Sequence, residues 1–493
     1  MPRSGVRFRS CFKAGVTISI DWDAMIHIAE LHDSYMPKVF IMLERPSLLQ
    51  DLAPCIVQLG KQLTDLRIYS NLQMSNALRL ILTCFPSLET LIYDCHDGST
   101  DMMEDNRYGL STWEWSSLGS LQKTRLQRLE WTGGLEILDD GGLLQYCPRL
   151  IYFLFRHIRY GYYFPDAHGV GFLMSNLQRW CPRLEAIVLC NRYIDRLRPE
   201  LGYQPSACTM AETSPGLKRL ALLGLCDISQ AELQTYIHEY QDTLELLEYR
   251  LSYVRNEGMD EDSIHDQQST AWMPPTCLAQ LHTLIIAHNC YVPAAFQPLH
   301  TFLRTCPVLS HLHLAFDAME PQGEHDLAQA LVAAVELPFL QHVEFEALVS
   351  LPPWLAFLRA AVAQGSVCAI QSLVVQGALA EVVWDNSALS LLAQLMTLRQ
   401  LHVSDVRMDQ QQMKLSEADP TCTFTEEKAR MFADTALCSG MVDRMEDLLL
   451  ELDIPMTSDA WYIMKAAFSC AWKTPFSPES HRHEPPFPTC SIM

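Results

Sequence analysis

The sequence predicts an α/β solenoid, a stack of strand-and-helix units sharing one continuous core, and three observations carry that prediction. An apolar triplet of the form L-x-x-L-x-L recurs through the middle of the chain. Amphipathic segments of helical length follow many of the triplets, and a proline, in several cases after a cysteine, closes the segment before the next triplet begins. At 493 residues the chain exceeds what one ordinary core organises, so several domains or a repeat array is required.

The triplets run from Leu63-Leu66-Ile68 through Leu126-Leu129-Trp131, Leu184-Ile187-Leu189 and Leu309-Leu312-Leu314 to Leu398-Leu401-Val403. Twelve occur, at a mean step of about 30 residues, within the 20–50-residue range of repeat architectures. The last two apolar positions of each triplet alternate along a short strand, so they point to one face, into the solenoid. Asn71 and Asn289, three residues past the triplet, are placed to hydrogen-bond the backbone of the bend.

Helical spacing of apolar residues marks the return segments Asn76–Cys84, Ser229–Tyr240, Phe296–Cys306, Asp326–Val335 and Trp354–Gln364. Cys147-Pro148, Cys181-Pro182 and Cys306-Pro307 precede Leu150, Leu184 and Leu309, with Pro86 and Pro338 in equivalent places. Proline ends a helix and biases its predecessor toward extended geometry, which switches helix into strand. A lone repeat cannot bury its apolar face, whereas stacked neighbours share one core.

The Cys-Pro-x-Leu units, with the run Leu225-Cys226-Asp227-Ile228-Ser229 and the similar Ile137–Leu143, resemble the cysteine-containing leucine-rich repeats of F-box proteins, especially the large fungal set with ribonuclease-inhibitor-like repeats. The resemblance covers roughly residues 61–405. It implies a leucine-rich-repeat solenoid, a right-handed β-α horseshoe of about 12 repeats with a parallel concave sheet. It also implies a substrate receptor of an SCF-type ubiquitin ligase, whose F-box docks on the linker subunit while the repeats hold the client. Residues 1–60 lack the family's Leu-Pro opening, and are expected to form an N-terminal helical cap or a diverged or truncated F-box region. The expected organisation continues with the solenoid over 61–415, a helical cap with a possible last repeat over 416–474, and a disordered tail over 475–493.

Composition narrows the function classes. Hydrophobic residues are 49% and charged ones 19%, which is globular, and 58 acidic against 36 basic residues give a net charge of −22. That field repels a phosphate backbone, and without a local basic patch it points away from nucleic acid and toward a basic or neutral protein partner. The 17 cysteines are odd in number, form no C-x-x-C and sit mostly in apolar segments, which reads as reduced thiols of a cytoplasmic or nuclear protein. No apolar run of about 18 residues spans a membrane. Phosphate-binding, dinucleotide, zinc-protease and nucleophile-elbow motifs are all missing, so a non-enzymatic interaction module with no cofactor is expected.

The residues between the apolar positions of each strand face away from the core, onto the concave sheet. In the N-terminal half these candidate contact residues are Arg67, Arg128, Glu130, Tyr152, Leu154, Lys218, Arg219 and Glu248, a mixture suited to binding protein, with Tyr152, Arg128 and Arg219 as anchors. Tyr152, Leu154 and Val188 are expected to be exposed apolar surface. In the C-terminal half they are His282, His311, His313, His342, Glu344 and His402. The bland reading of the histidines is a polar protein-binding face, and the sharp one is a metal-responsive site. A free-standing repeat scaffold or inhibitor without ligase attachment is the alternative to the receptor.

Overall fold

The structure is a computed structural model that describes residues 38–43, 64–70, 78, 81–82, 85–95, 123–133, 141–157, 168–191, 216–223, 230–251, 277–288, 299–316, 321–346, 350–376, 380–404, 424–450 and 457–473. Asn71, Asn289 and the tail from 475 lie outside these residues. The chain divides into two compact units, 1–233 with 251–256, and 234–250 with 257–493.

Each unit is a leucine-rich-repeat array in which sequential strands pair in parallel. In the first unit the order is β1 (Lys38–Leu43), β2 (Asp65–Ser70), β3 (Thr90–Cys95), β4 (Arg128–Gly133), β5 (Tyr152–His157), β6 (Ala186–Asn191) and β7 (Arg219–Leu223). In the second it is β8 (Leu246–Leu251), β9 (Thr283–His288), β10 (His311–Phe316), β11 (His342–Glu346), β12 (Ser372–Gln376), β13 (Gln400–Ser404), β14 (Asp447–Leu450) and β15 (Trp472–Lys473). The ladder therefore extends beyond the counted triplets at both ends. β1 falls where a helical cap or F-box was expected, and pairs with β2 so that Val39 and Ile41 align with Leu66 and Ile68.

The triplet residues do what their alternation predicts. Leu66, Leu91, Leu129, Phe153, Ile187 and Leu220 align across the first unit, and all are buried. Leu284, Leu312, Val343, Leu373, Leu401 and Leu448 do the same in the second. Aromatic layers stiffen both cores: Tyr93 stacks on Trp131 with centroids 4.1 Å apart, and Phe345 meets Trp354 and Phe357 edge-on at 5.6 and 5.2 Å.

Helices occupy the expected segments Ser229–Tyr240, Phe296–Cys306, Asp326–Val335 and Trp354–Gln364, Asn76–Cys84 lies mostly outside the described residues, and further helices join them. The helices of the described residues are α1 (His168–Trp180), α2 (Gln230–Glu239), α3 (Leu299–Arg304), α4 (Pro321–Val335), α5 (Leu351–Gln364), α6 (Ala380–Val383), α7 (Asn386–Ala393), α8 (Glu426–Cys438), α9 (Met441–Arg444) and α10 (Ser458–Ala467). A 3₁₀ turn, Gly141–Tyr146, lies between β4 and β5. Asp385, Thr425 and Thr457 cap α7, α8 and α10 by accepting from exposed first-turn N–H groups. Gly365 ends α5 at φ 57°, a left-handed conformation that glycine adopts without a Cβ penalty.

The Cys-Pro signal proves to be a tight turn. Leu150, Leu184 and Leu309 each donate N–H to the carbonyl of Cys147, Cys181 and Cys306, at 3.1, 3.0 and 3.2 Å. Proline occupies the second position, where its fixed φ is pre-set for the turn. Leu88 and Leu340 make the same bond to Phe85 and Leu337, so any buried apolar residue can replace the cysteine. The three thiols are 0–2% exposed, and burial pushes Cys147 and Cys306 up to about 12 and raises Cys181 further. At neutral pH they stay protonated and unreactive. Alkylation of the native protein, read residue by residue by mass spectrometry, is therefore expected to label Cys277, Cys438 and Cys470, which are exposed. Cys147, Cys181 and Cys306 should react only after denaturation, and native labelling of any of the three would refute the turn packing described.

Candidate binding faces of the two units

Outward residues line up in rows because every strand enters the ladder the same way. Two consecutive N–H groups donate to a single carbonyl of the preceding repeat: Ile151 and Tyr152 to Gln127, Glu185 and Ala186 to Ile151, Ser310 and His311 to His282, Gln341 and His342 to Ser310. With that offset constant, side chains on the face opposite the core become neighbours across strands about 4.8 Å apart.

In the first unit Arg128, Tyr152, Ala186 and Arg219 share one row, and Glu130, Leu154, Val188 and Ala221 the next. Arg128 lays its guanidinium over the Tyr152 ring, 4.6 Å from the centroid, while its Nε donates to Glu130 at 2.6 Å. Burial and the Glu130 carboxylate push the Tyr152 hydroxyl up; Arg219, Arg128 and Arg156 oppose them. Of the three expected anchors, Arg128 and Tyr152 are in contact, and Arg219 shares their row two strands on from Tyr152. Lys218, just before β7, pairs with Glu185 at 3.3 Å, and Arg67 on β2 is exposed.

Their exposure was misjudged. Tyr152 is 7% and Val188 4% exposed, and with Ala186 and Ala221 they form a second small apolar cluster on this face, flanked by half-buried Leu154 and Leu223. Alternation assigns a side chain to a face but says nothing about neighbours leaning over it, as Arg128 leans over Tyr152.

In the second unit His311 pairs with His342 and His313 with Glu344, as the spacing predicts. His402 shares the row of His313 and Glu344, separated from Glu344 by Val374. His282 is exposed and sits one residue before β9, at the carbonyl position of the ladder, so it is out of that row. The His311 and His342 rings stack with centroids 5.9 Å apart. Among the described residues no three His, Cys, Asp or Glu are grouped as metal ligands.

A charged chain that sequence reading missed crosses this face. Arg250 Nε donates to Glu248 Oε1 at 2.8 Å, and Arg250 Nη1 lies 4.0 Å from Glu346 Oε2. His313 Nε2 is 3.5 Å from Glu346 Oε2, and its Nδ1 is 3.7 Å from Glu344 Oε2. Gln376 then donates to Glu344 Oε1 at 2.8 Å. Arg250 and Glu346 lie two residues beyond Glu248 and Glu344, and Gln376 two beyond Val374. Carrying the same alternation one step past each triplet would have found all three.

Comparisons add little to this geometry. No family model matches the chain, and no curated protein does. A solved structure of the Rad7 and Elc1 complex in yeast is similar at 12% identity and a TM-score of 0.32, over 70% of this chain and 68% of that one. The fold assignment rests on strand order and register.

Two outcomes follow from the second unit. Glu248 and Arg250 are 7% and 9% exposed, so removing one partner takes apart a buried, hydrogen-bonded charge pair. Arg250→Ala is expected to cost about 3 kcal/mol in urea unfolding, and the pair Glu248→Gln/Arg250→Met to recover most of it. Burial lowers the pKa of His311 below its usual 6.5, against a smaller opposing pull from Glu344. The unfolded chain then binds a proton that the folded chain refuses, so this histidine's contribution to stability falls as pH drops below about 6.5. His311→Gln should flatten the dependence of the urea midpoint on pH in that range, and an unchanged slope would disprove the assignment.

Proposed function

We propose that the chain is a non-enzymatic protein-interaction module that recruits a protein client on the faces opposite its repeat cores. The observation that carries this is the register of the outward rows, which sets arginine, glutamate, histidine and tyrosine side chains side by side over several adjacent strands. Mixed charged and aromatic surface of this kind is what protein interfaces use. The acidic balance of −22 favours a client that is basic or neutral over its contact area. Among the described residues, the thiols pushed up to about 12 and beyond are those of the repeat-core turns, which serve packing.

The finer reading is a substrate receptor of an SCF-type ubiquitin ligase acting in the cytoplasm or nucleus. It is supported by the resemblance of the Cys-Pro repeats to those of F-box proteins. Affinity purification from the source cell is expected to recover the ligase linker subunit together with a client. Recovery of a client without the linker would replace the receptor by a free-standing scaffold or inhibitor. Arg128→Glu with Arg219→Glu should weaken a client bound on the first unit by about tenfold or more, measured by calorimetry. An unchanged affinity would move the contact away from this row.

A further inference from the structure

In the second unit the strands pair in parallel and each return helix leads back to the start of the next strand, so the helix-to-strand turns line one rim. Such turns face water, and the first unit fills them accordingly: the residue after the turn proline is Ser87, Arg149 or Arg183. In the second unit the same position holds Val308 and then Phe339. Among the described residues, the large apolar side chains that stand 50–78% exposed are Phe339, Val367, Met396, Leu437 and Tyr462. All but Tyr462 lie at these turns, one in each of the four consecutive repeats that lead into β11, β12, β13 and β14.

Single exposed apolar residues are ordinary, but a row of them marks a contact surface. Hydrogen bonds hold the four turns side by side. Gln371 donates its N–H to the Gln341 carbonyl at 2.9 Å, which joins the turn of Val367 to that of Phe339. Thr397 Oγ1, next to Met396, donates to the Ile370 carbonyl at 2.7 Å. Ser439 Oγ, just past Leu437, donates to the Ala393 carbonyl at 2.6 Å. Met396 lies across Gly365, its sulfur 4.0 Å from where a Cβ would stand, so it leans over the turn that bears Val367.

The electrostatics of the rim select the charge of what it binds. Helices α4, α5 and α7 end here with no basic residue in the last turn, so the partial negative charge of each C-terminus, about half a unit, meets no cation of its own helix. The arginines of the rim are engaged: Arg304 with Glu336 at 3.4 Å, Arg399 with Glu446 at 2.9 Å, and Arg444 with the Ser439 carbonyl at 3.2 Å. The net charge of −22 adds the same sign at longer range. An anionic lipid surface is therefore repelled, whereas lysine or arginine beside an apolar stripe is attracted.

Spacing selects its shape. Neighbouring packed helices lie about 8–10 Å apart, and a helix presents the same side again after seven residues, about 10.5 Å. A helix laid along the rim can set one apolar residue beside each turn. We propose that this rim docks a basic amphipathic helix of a partner protein, its apolar stripe on Phe339, Val367, Met396 and Leu437 and its cations toward the ends of α4, α5 and α7. This is a second contact surface, separate from the outward rows of the sheet and independent of their client.

The test follows the fluorescence anisotropy of a labelled peptide titrated with the full chain. The probe is a helical leucine–lysine peptide of about twenty residues, long enough to span about 30 Å, with its leucines on one stripe. Its controls are a scramble of the same composition and a leucine–glutamate peptide of the same pattern. The striped lysine peptide is expected to bind, and both controls to bind at least about tenfold more weakly. Met396→Lys should weaken the striped peptide about tenfold, and Tyr462→Lys, which adds the same charge on α10, should leave it unchanged. Should Met396→Lys disturb the packing on Gly365, Val367→Lys, at the most exposed position of the row, carries the test. No binding of the striped peptide, equal binding of either control, or equal loss in Tyr462→Lys overturns the proposal. A dimer seen by sedimentation and abolished by Val367→Lys would also overturn it, by giving the rim to a second copy of this chain. Binding to phosphatidylserine vesicles abolished by the same variant would overturn it in favour of a membrane surface.

Discussion

The arrangement of both units depends on one backbone constraint, the carbonyl that accepts two consecutive N–H groups from the next repeat. Gln127, Ile151, Glu185, His282, Ser310, Gln341, Gln371 and Arg399 all serve as that acceptor. The residues that fill this position are chemically varied, since only their carbonyl is needed. The bond is a backbone property, so register survives where the triplet sequence decays. Glu446 and Asp447 still donate to Arg399, and β14 enters in register although its triplet is imperfect. A slip of one residue would exchange the buried and outward sets entirely, so the core's apolar alternation and the carbonyl offset enforce each other.

This coupling explains which parts of the fold were legible. Leucines at fixed offsets encode the core directly, and Pro after a buried residue encodes the turn, so Leu150, Leu184 and Leu309 could be placed from sequence. β1 could not, because Val39 and Ile41 keep the alternation without leucine. β15 has only two residues and carries no periodicity at all. The cysteines were legible as buried but not as optional. Phe85 and Leu337 fill the same turn position, so the requirement there is an apolar side chain under the proline, not a thiol.

The binding faces were legible as positions and less so as interactions. Alternation paired His311 with His342 and His313 with Glu344, and brought Arg128, Tyr152 and Arg219 into one row. It could not foresee that Tyr152 would be roofed by Arg128, nor that His313 would turn between two carboxylates from one neighbouring strand. Those outcomes depend on side-chain length and rotamer. Long, flexible Arg and Glu choose among several neighbours, and only the packed structure decides which.

The longest of these reaches shows what permits them. By the carbonyl offset, Arg250 and Glu346 belong to one row but are three strands apart, about 14 Å along the sheet. The residues between them in that row are Ala287 and Ala315, and Ala315 pairs directly with Glu346. Alanine leaves the surface low enough for Arg250 to lean along the row toward Glu346 while keeping its bond to Glu248. A β-branched or aromatic residue at either position would stand in that path and confine the guanidinium to Glu248. The charged chain on this face therefore depends on two small neutral side chains as much as on the charges themselves. Small residues inside an otherwise polar row are thus a sequence signal in their own right, marking where side chains from distant strands can meet.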